Sequence, residues 1–175
     1  LSSEADAATS SRVNLFGDWL TILMPVPPSV DPNTRTATYI ARFENLSDVR
    51  DFVAQAAADC GLKESAVYSV QLAVDEAFTN IIEHAFGGEC QEEIECTCQI
   101  KADGLKITLR DCGKPFNPLS VPEPDLNAGL EQRQVGGLGL YFIRQLMDEV
   151  HFTFLPGEND QNGCNILTLV KYKEK

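Results

Sequence analysis

The feature that most constrains the fold is a change of hydrophobic period in the middle of the chain. From residue 64 to 86 the apolar side chains Val67, Val70, Val74, Ala77, Phe78, Ile81 and Ala85 recur at helical spacing and form one stripe. That is the pattern of an amphipathic helix docked on a core. A few residues later the period drops to two. The runs EIECTCQI (93–100) and LKITLR (105–110) alternate on either side of Asp103-Gly104, the signature of a tight antiparallel hairpin. A helix with one apolar stripe and a hairpin with one apolar face bury those surfaces against each other, which predicts helices laid on one face of a sheet.

The flanking segments extend this plan. TRTATYIARF (34–43) alternates and is rich in β-branched residues, as a strand should be. Asn45 or Ser47 is placed to cap a helix whose apolar set is Val49, Phe52, Val53, Ala56 and Ala57, and Gly61 is placed to end it. A third helix is expected over about 138–149, followed by strands near 150–155 and 164–172. The predicted class is α+β: a two-layer sandwich with a mixed, mainly antiparallel sheet and helices on one face. Residues 1–33 begin rich in Ser, Ala, Asp and Thr, contain the apolar island Val13 to Val26, and end proline-rich. They read as an N-terminal extension, and residues 34–175 as the domain. Residues 117–134 carry prolines and acidic groups without periodicity, which marks a functional lid within the domain.

Charge narrows the partners. With 26 acidic and 14 basic residues the net charge is −12, which repels phosphate backbones and anionic membrane surfaces. Neither nucleic acid nor a membrane is expected as a partner. No stretch approaches the roughly 20 apolar residues of a membrane span, and no leader pattern opens the chain, so a cytoplasmic location is expected. Six cysteines, at 60, 90, 96, 98, 112 and 164, lack CxxC spacing. They read as reduced thiols with no metal site among them, and Cys96 and Cys98 as small buried groups on one face of a strand.

Three segments carry candidate chemistry. In the long helix Glu76, Asn80 and His84 recur every four residues, one ridge beside the apolar stripe with about 6 Å of rise between neighbours. Asn within a helix costs roughly a few tenths of a kcal/mol relative to Ala, so Asn80 calls for a reason. Asp111 closes the second hairpin strand and Gly113 follows it. A carboxylate there can accept from an exocyclic amine, while the missing side chain lets a flat ligand approach the backbone. Gly136-Gly137-Leu138-Gly139 opens directly into LYFIRQLM, so backbone N–H groups at a helix start are offered to phosphates. The P-loop pattern and the strand-then-GxGxxG order of a dinucleotide fold are both missing. His84 reads as an ordinary, partly buried histidine at the edge of this region, and His151 is assigned no role. Each motif alone is also what a solvated ridge or a plain turn would show; their order is the stronger signal.

That order, EAFTNIIEH then DCGKPF then GGLGL, resembles the N, G1 and G2 boxes of the GHKL (Bergerat-fold) ATPases. The wording DEAFTNIIEHAFGG, DxGxPFxP and GLGLYFIRQLMDEV is similar to the RsbW and SpoIIAB group of anti-sigma serine-protein kinases, a likeness covering about residues 34–172. The resemblance implies ATP and Mg²⁺ as cofactors, with Asn80 binding the metal through its amide oxygen and Glu76 acting as general base toward a protein hydroxyl. Asp111 would read the adenine amine, Gly113 would let the base lie close, and Gly137, Leu138 and Gly139 would offer N–H groups to the phosphates. It further implies a serine/threonine kinase of a partner-switching system, with a STAS-type antagonist as substrate, a sigma factor or other response regulator as partner, and a homodimer as assembly. One departure matters. Where the family places an Arg before the G2 glycines, this chain has Gln134-Val135, with Arg133 displaced and Lys114 the other nearby cation. An ATP-gated binding module with weak or no kinase activity is therefore a second reading. A sensor histidine kinase catalytic domain is a third, although residues 1–33 hold no histidine for a phospho-acceptor hairpin.

Overall fold

The computed structural model of the chain describes residues 31–118, 138–157 and 163–174. Residues Pro32–Lys175 make one compact unit, so its boundary falls two residues before the expected start of the domain at Thr34. In chain order the elements are β1 (Thr34–Ile40), a 3-10 turn (Phe43–Asn45), α1 (Leu46–Cys60) and α2 (Glu64–Asn80), which continues as a π-helical turn (Ile81–Phe86). Then come β2 (Glu93–Ile100), β3 (Gly104–Asp111), α3 (Leu138–Leu146), β4 (Glu149–Leu155) and β5 (Cys164–Tyr172). The strands lie in the order β1-β2-β3-β5-β4.

Every pairing is antiparallel, so the α+β sandwich stands but its sheet is not mixed. The connections explain this. α1 and α2 are joined only by Gly61-Leu62-Lys63, which makes them antiparallel neighbours and returns the chain so that β2 runs opposite to β1. The β4–β5 hairpin then slots β5 between β3 and β4.

Local boundaries follow from identifiable bonds. Asn45 sits at the start of α1, but its amide donates to the Ile40 carbonyl at 2.8 Å and makes no cap bond. The 3-10 turn supplies the entry instead, since the Leu46 N–H donates to Phe43 O. The β2–β3 turn is one residue earlier than expected: Lys101 N–H donates to Gly104 O at 2.8 Å, so Ala102-Asp103 form the bend. Gly104 already belongs to β3, and a Cβ on it would lie 2.3 Å from the Lys171 oxygen on β5. The glycine serves a close strand crossing rather than the turn. α3 stops at Leu146, short of the expected 149. Lys171 Nζ takes the Leu146 carbonyl at 2.9 Å, and the Asp148 N–H donates to Val170 O at 3.0 Å, tying the chain to β5.

The core lies between the helices and one face of the sheet. Val49, Val53, Ala56 and Ala57 of α1 and Val70, Ala73, Val74, Ala77 and Phe78 of α2 are buried against Ile94, Cys96 and Cys98 of β2, Leu105, Ile107 and Leu109 of β3, and Leu167 and Leu169 of β5. Full burial of one large apolar side chain is worth roughly 1.5–3 kcal/mol, which is why the stripe of α2 dictates its seating. Phe78 is central, edge-on to Tyr39 with ring centroids 6.2 Å apart. Phe52 and Val67, expected in the core, pack at its margin.

The cysteines divide. Cys60, Cys90, Cys96 and Cys98 are free, and Cys96 and Cys98 are fully buried as the strand pattern requires. Cys112 and Cys164 are joined as a disulfide, which corrects the expectation that all six are thiols. The register pairs Asp111 with Asn165, so the next residue on one strand and the preceding one on the other stand opposite each other. Spacing along the sequence cannot show this. Among the described residues no helix is long and apolar enough to cross a membrane.

Candidate functional site

Two side-chain groups are tied to the C-terminal end of α2. The first joins α2 to α3. A Cβ on Gly139, the second residue of α3, would lie 2.7 Å from Glu76 Oε2, 3.0 Å from Asn80 Nδ2 and 3.4 Å from Asn80 Oδ1. The start of α3, whose first N–H groups have no partner within the helix, therefore rests directly on the polar ends of Glu76 and Asn80. Leu140, Ile143 and Met147 anchor α3 by their burial in the core. Leu138 is the first residue of α3 and half-buried. Gly137 lies outside the described residues, as do Arg133, Gln134-Val135 and all of the expected lid except Asn117 and Pro118.

The second group is at the end of β3. Asp111 is only 3% exposed. Its Oδ1 accepts from the Gly113 N–H at 3.0 Å and from Asn165 Nδ2 at 2.9 Å. Burial pushes the Asp111 carboxyl above the usual carboxylate range, and those two bonds pull it part of the way back. The loop after it is held against α2: Lys114 N–H donates to the Ala85 carbonyl at 2.9 Å. A Cβ on Gly113 would sit 2.7 Å from the same oxygen, so Gly113 has a packing reason that the sequence did not reveal. The π-helical turn that follows Asn80 thus presents Ala85 to the β3 loop, and α2 carries both groups on one rigid element. Such turns are often found at functional sites.

Asn165 is a residue of this group that sequence reasoning missed. Its amide donates to Asp111 Oδ1 and to the Lys114 carbonyl at 3.0 Å, and its oxygen accepts from the Phe116 N–H at 2.9 Å. It therefore positions the carboxylate and the loop at once. A signal existed: Asn is depleted in strands, yet here it shares the inward face with Leu167 and Leu169, where a polar side chain needs partners. His84, expected to be partly buried, is exposed instead, because it faces away from the apolar stripe of the helix, and His151 Nε2 lies 2.9 Å from Glu149 Oε2 on the edge strand β4; neither joins these groups.

A helix start beside a carboxylate and an amide can hold an anion that carries a metal ion with it, while a buried carboxylate with its own supports can accept from a fixed donor. The chain belongs to the histidine kinase-like ATPase domain family, whose family model matches residues 40–171. Membership implies ATP as the nucleotide. Within that class it is similar to proteins named serine-protein kinase RsbW. The one from Listeria monocytogenes serovar 1/2a is 33% identical over 105 residues, 58% of this chain and 67% of that protein. The one from Bacillus velezensis is 30% identical over 139 residues, 70% of this chain and 86% of that protein. Among solved structures, part of a chain described as the RsbU and RsbW domains of a Mycobacterium tuberculosis protein shares the fold, with TM-score 0.54 and 16% identity over 79% of this chain and 32% of that one.

Proposed function

We propose that the chain is a serine/threonine-protein kinase of a partner-switching system. It transfers the γ-phosphoryl group of ATP to a hydroxyl of a STAS-type antagonist protein and restrains a sigma factor or another response regulator. The observation that supports this reading is Gly139 seated on Glu76 and Asn80, which brings a carboxylate and an amide close to the backbone of α3. Phosphoryl transfer needs such positioning more than covalent chemistry.

In this reading Glu76 accepts the proton of the attacking hydroxyl, and Asn80 Oδ1 ligates Mg²⁺. A single amide oxygen beside a carboxylate suits that ion, which takes few protein ligands and completes its shell with phosphate oxygens and water. Bound there, it would offset the charge of the phosphates. Asp111 accepts from the adenine amine through Oδ2, because Oδ1 is engaged by Gly113 and Asn165. Gly113 leaves the base edge open, and Gly137, Leu138 and Gly139 direct N–H groups at the phosphates. Residues 34–175 form the kinase domain with 117–134 as its lid, working as a cytoplasmic homodimer. The test is transfer of label from ATP to a cognate antagonist with Mg²⁺. Transfer is expected, and Glu76→Gln should slow it by at least about 100-fold. Absent transfer, or transfer indifferent to Glu76→Gln, overturns the reading.

Gln134-Val135, in place of the arginine that the resemblance expects, favours a second reading as an ATP-gated binding module, since losing such charge stabilisation costs about 10³-fold or more. Under it, Glu76→Gln leaves ATP-dependent partner control intact while Asp111→Asn abolishes it.

A further inference from the structure

The Cys112–Cys164 bond lies one residue from each end of the buried Asn165–Asp111 hydrogen bond. Cys112 separates Asp111 from Gly113, and Cys164 separates Gly163 from Asn165, so the cystine fastens β3 to β5 where those strands hold the recognition carboxylate. The half-cystines are 52 residues apart in sequence, and the chain between them includes α3. Two further observations concern reactivity. Cys112 is exposed and, with Phe86, Glu92, Lys114 and Gly163, lines an open cavity of about 390 Å³ through which a small thiol can approach. Cys164 is buried, and Arg110 Nη2 donates to its Sγ at 3.3 Å. A thiolate released at Cys164 would form beside a guanidinium, and a stabilised thiolate is the better leaving group.

We propose that Cys112–Cys164 is a thiol–disulfide exchange site through which a low-molecular-weight thiol–disulfide couple sets nucleotide affinity. An external thiolate attacks Cys112 Sγ, the S–S bond breaks, a mixed disulfide forms at Cys112, and the electron pair leaves on Cys164 Sγ beside Arg110. A second external thiolate attacks the outer sulfur of the mixed disulfide and releases Cys112 as thiolate. Two small thiols are oxidised to one small disulfide, the cystine is reduced to two thiols, and the protons pass from the former to the latter. Oxidation is the reverse, with the small disulfide as oxidant. The crosslinked form holds Asp111, Asn165 and the loop to Phe116 in place, so it binds nucleotide more tightly; the reduced form must order them on binding. The affinity effect rests on the reading of Asp111 as the adenine contact.

The test equilibrates the full chain in buffers of graded glutathione to glutathione-disulfide ratio. Thiols are then alkylated and mapped by mass, and a fluorescent ATP analogue is titrated into both end forms. Cys112 and Cys164 should become alkylated together with one midpoint inside the glutathione range, and the reduced form should bind about tenfold more weakly. The double variant Cys112→Ser, Cys164→Ser should bind weakly in every buffer, and Arg110→Gln should slow reduction. A bond that no glutathione ratio opens, or equal affinity in both forms, overturns the proposal. Should neither form bind nucleotide, the adenine reading fails instead. Amide hydrogen exchange at Gly113 to Phe116 then decides for exchange control of the loop if faster in the reduced form, and against it if unchanged.

Discussion

At Asp111, two donors converge on one carboxylate oxygen in a buried setting, which separates the residue's structural part from the recognition part proposed for it. Asp111→Asn keeps an Oδ1 that accepts both bonds and turns the other oxygen into a donor. Burial raises the folded-state value of this carboxyl, so the folded protein holds its proton more tightly than the unfolded chain. The stabilising contribution is present at acid pH and is lost as pH rises from the unfolded value, about 3.9, through the folded one. At neutral pH the ionised group therefore costs stability. Asp111→Asn should melt at the same or higher temperature than the parent near neutrality, with that advantage vanishing at acid pH, while ATP affinity by calorimetry falls at least about tenfold. Gly139 separates the same two properties differently. The atoms an added methyl would meet are the side-chain ends of Glu76 and Asn80, so Gly139→Ala should leave the melting temperature nearly unchanged while displacing the carboxylate proposed as base and the amide. Phosphoryl transfer should drop by about 100-fold, measured beside thermal unfolding of the same sample.

Among the elements, α2 and its π-helical turn do the positioning. The turn presents the Ala85 carbonyl to the loop after β3, and glycine at 113 permits the contact, since the atoms a Cβ there would meet are the Ala85 carbonyl oxygen and carbon and its rigid Cβ. Gly113→Ala should therefore cost about 1–3 kcal/mol in urea unfolding, in contrast to Gly139→Ala. Gly104→Ala should cost a similar amount, because the Lys171 carbonyl on β5 stands in the way. Equal stability of either variant to the parent would contradict the close approach on which both arguments depend. The helical stripe, the hairpin and the closing strands were all legible from period alone. The boundaries that shifted did so where a distant strand intervened: β5 placed Gly104 inside β3 and ended α3 at Leu146.

For the whole molecule, the disulfide is a covalent constraint joining residues 52 apart in sequence. Closing a loop of this length is worth about 2–4 kcal/mol of stability through the unfolded state. Reducing Cys112–Cys164 should lower the urea midpoint accordingly without changing the helical circular dichroism of the native state; an unmoved midpoint would deny the bond a stabilising part. The net charge of −12 acts on the same scale. At long range it disfavours approach to other anionic surfaces.

What the sequence determined by itself is what neighbours along the chain determine: periods, the existence and order of the helices and strands, and the order of the three boxes, including Glu76, Asn80, Asp111 and the glycines of GGLGL. Local backbone geometry and the burial of a single face are enough for those. Only the tertiary structure decided that Asn165 grips Asp111, that Gly139 rests on Glu76 and Asn80, that Gly113 presses on Ala85, and that Cys112 meets Cys164. Each of these depends on the register of strands, or the seating of helices, contributed by segments far apart in the chain, and no local pattern encodes that register.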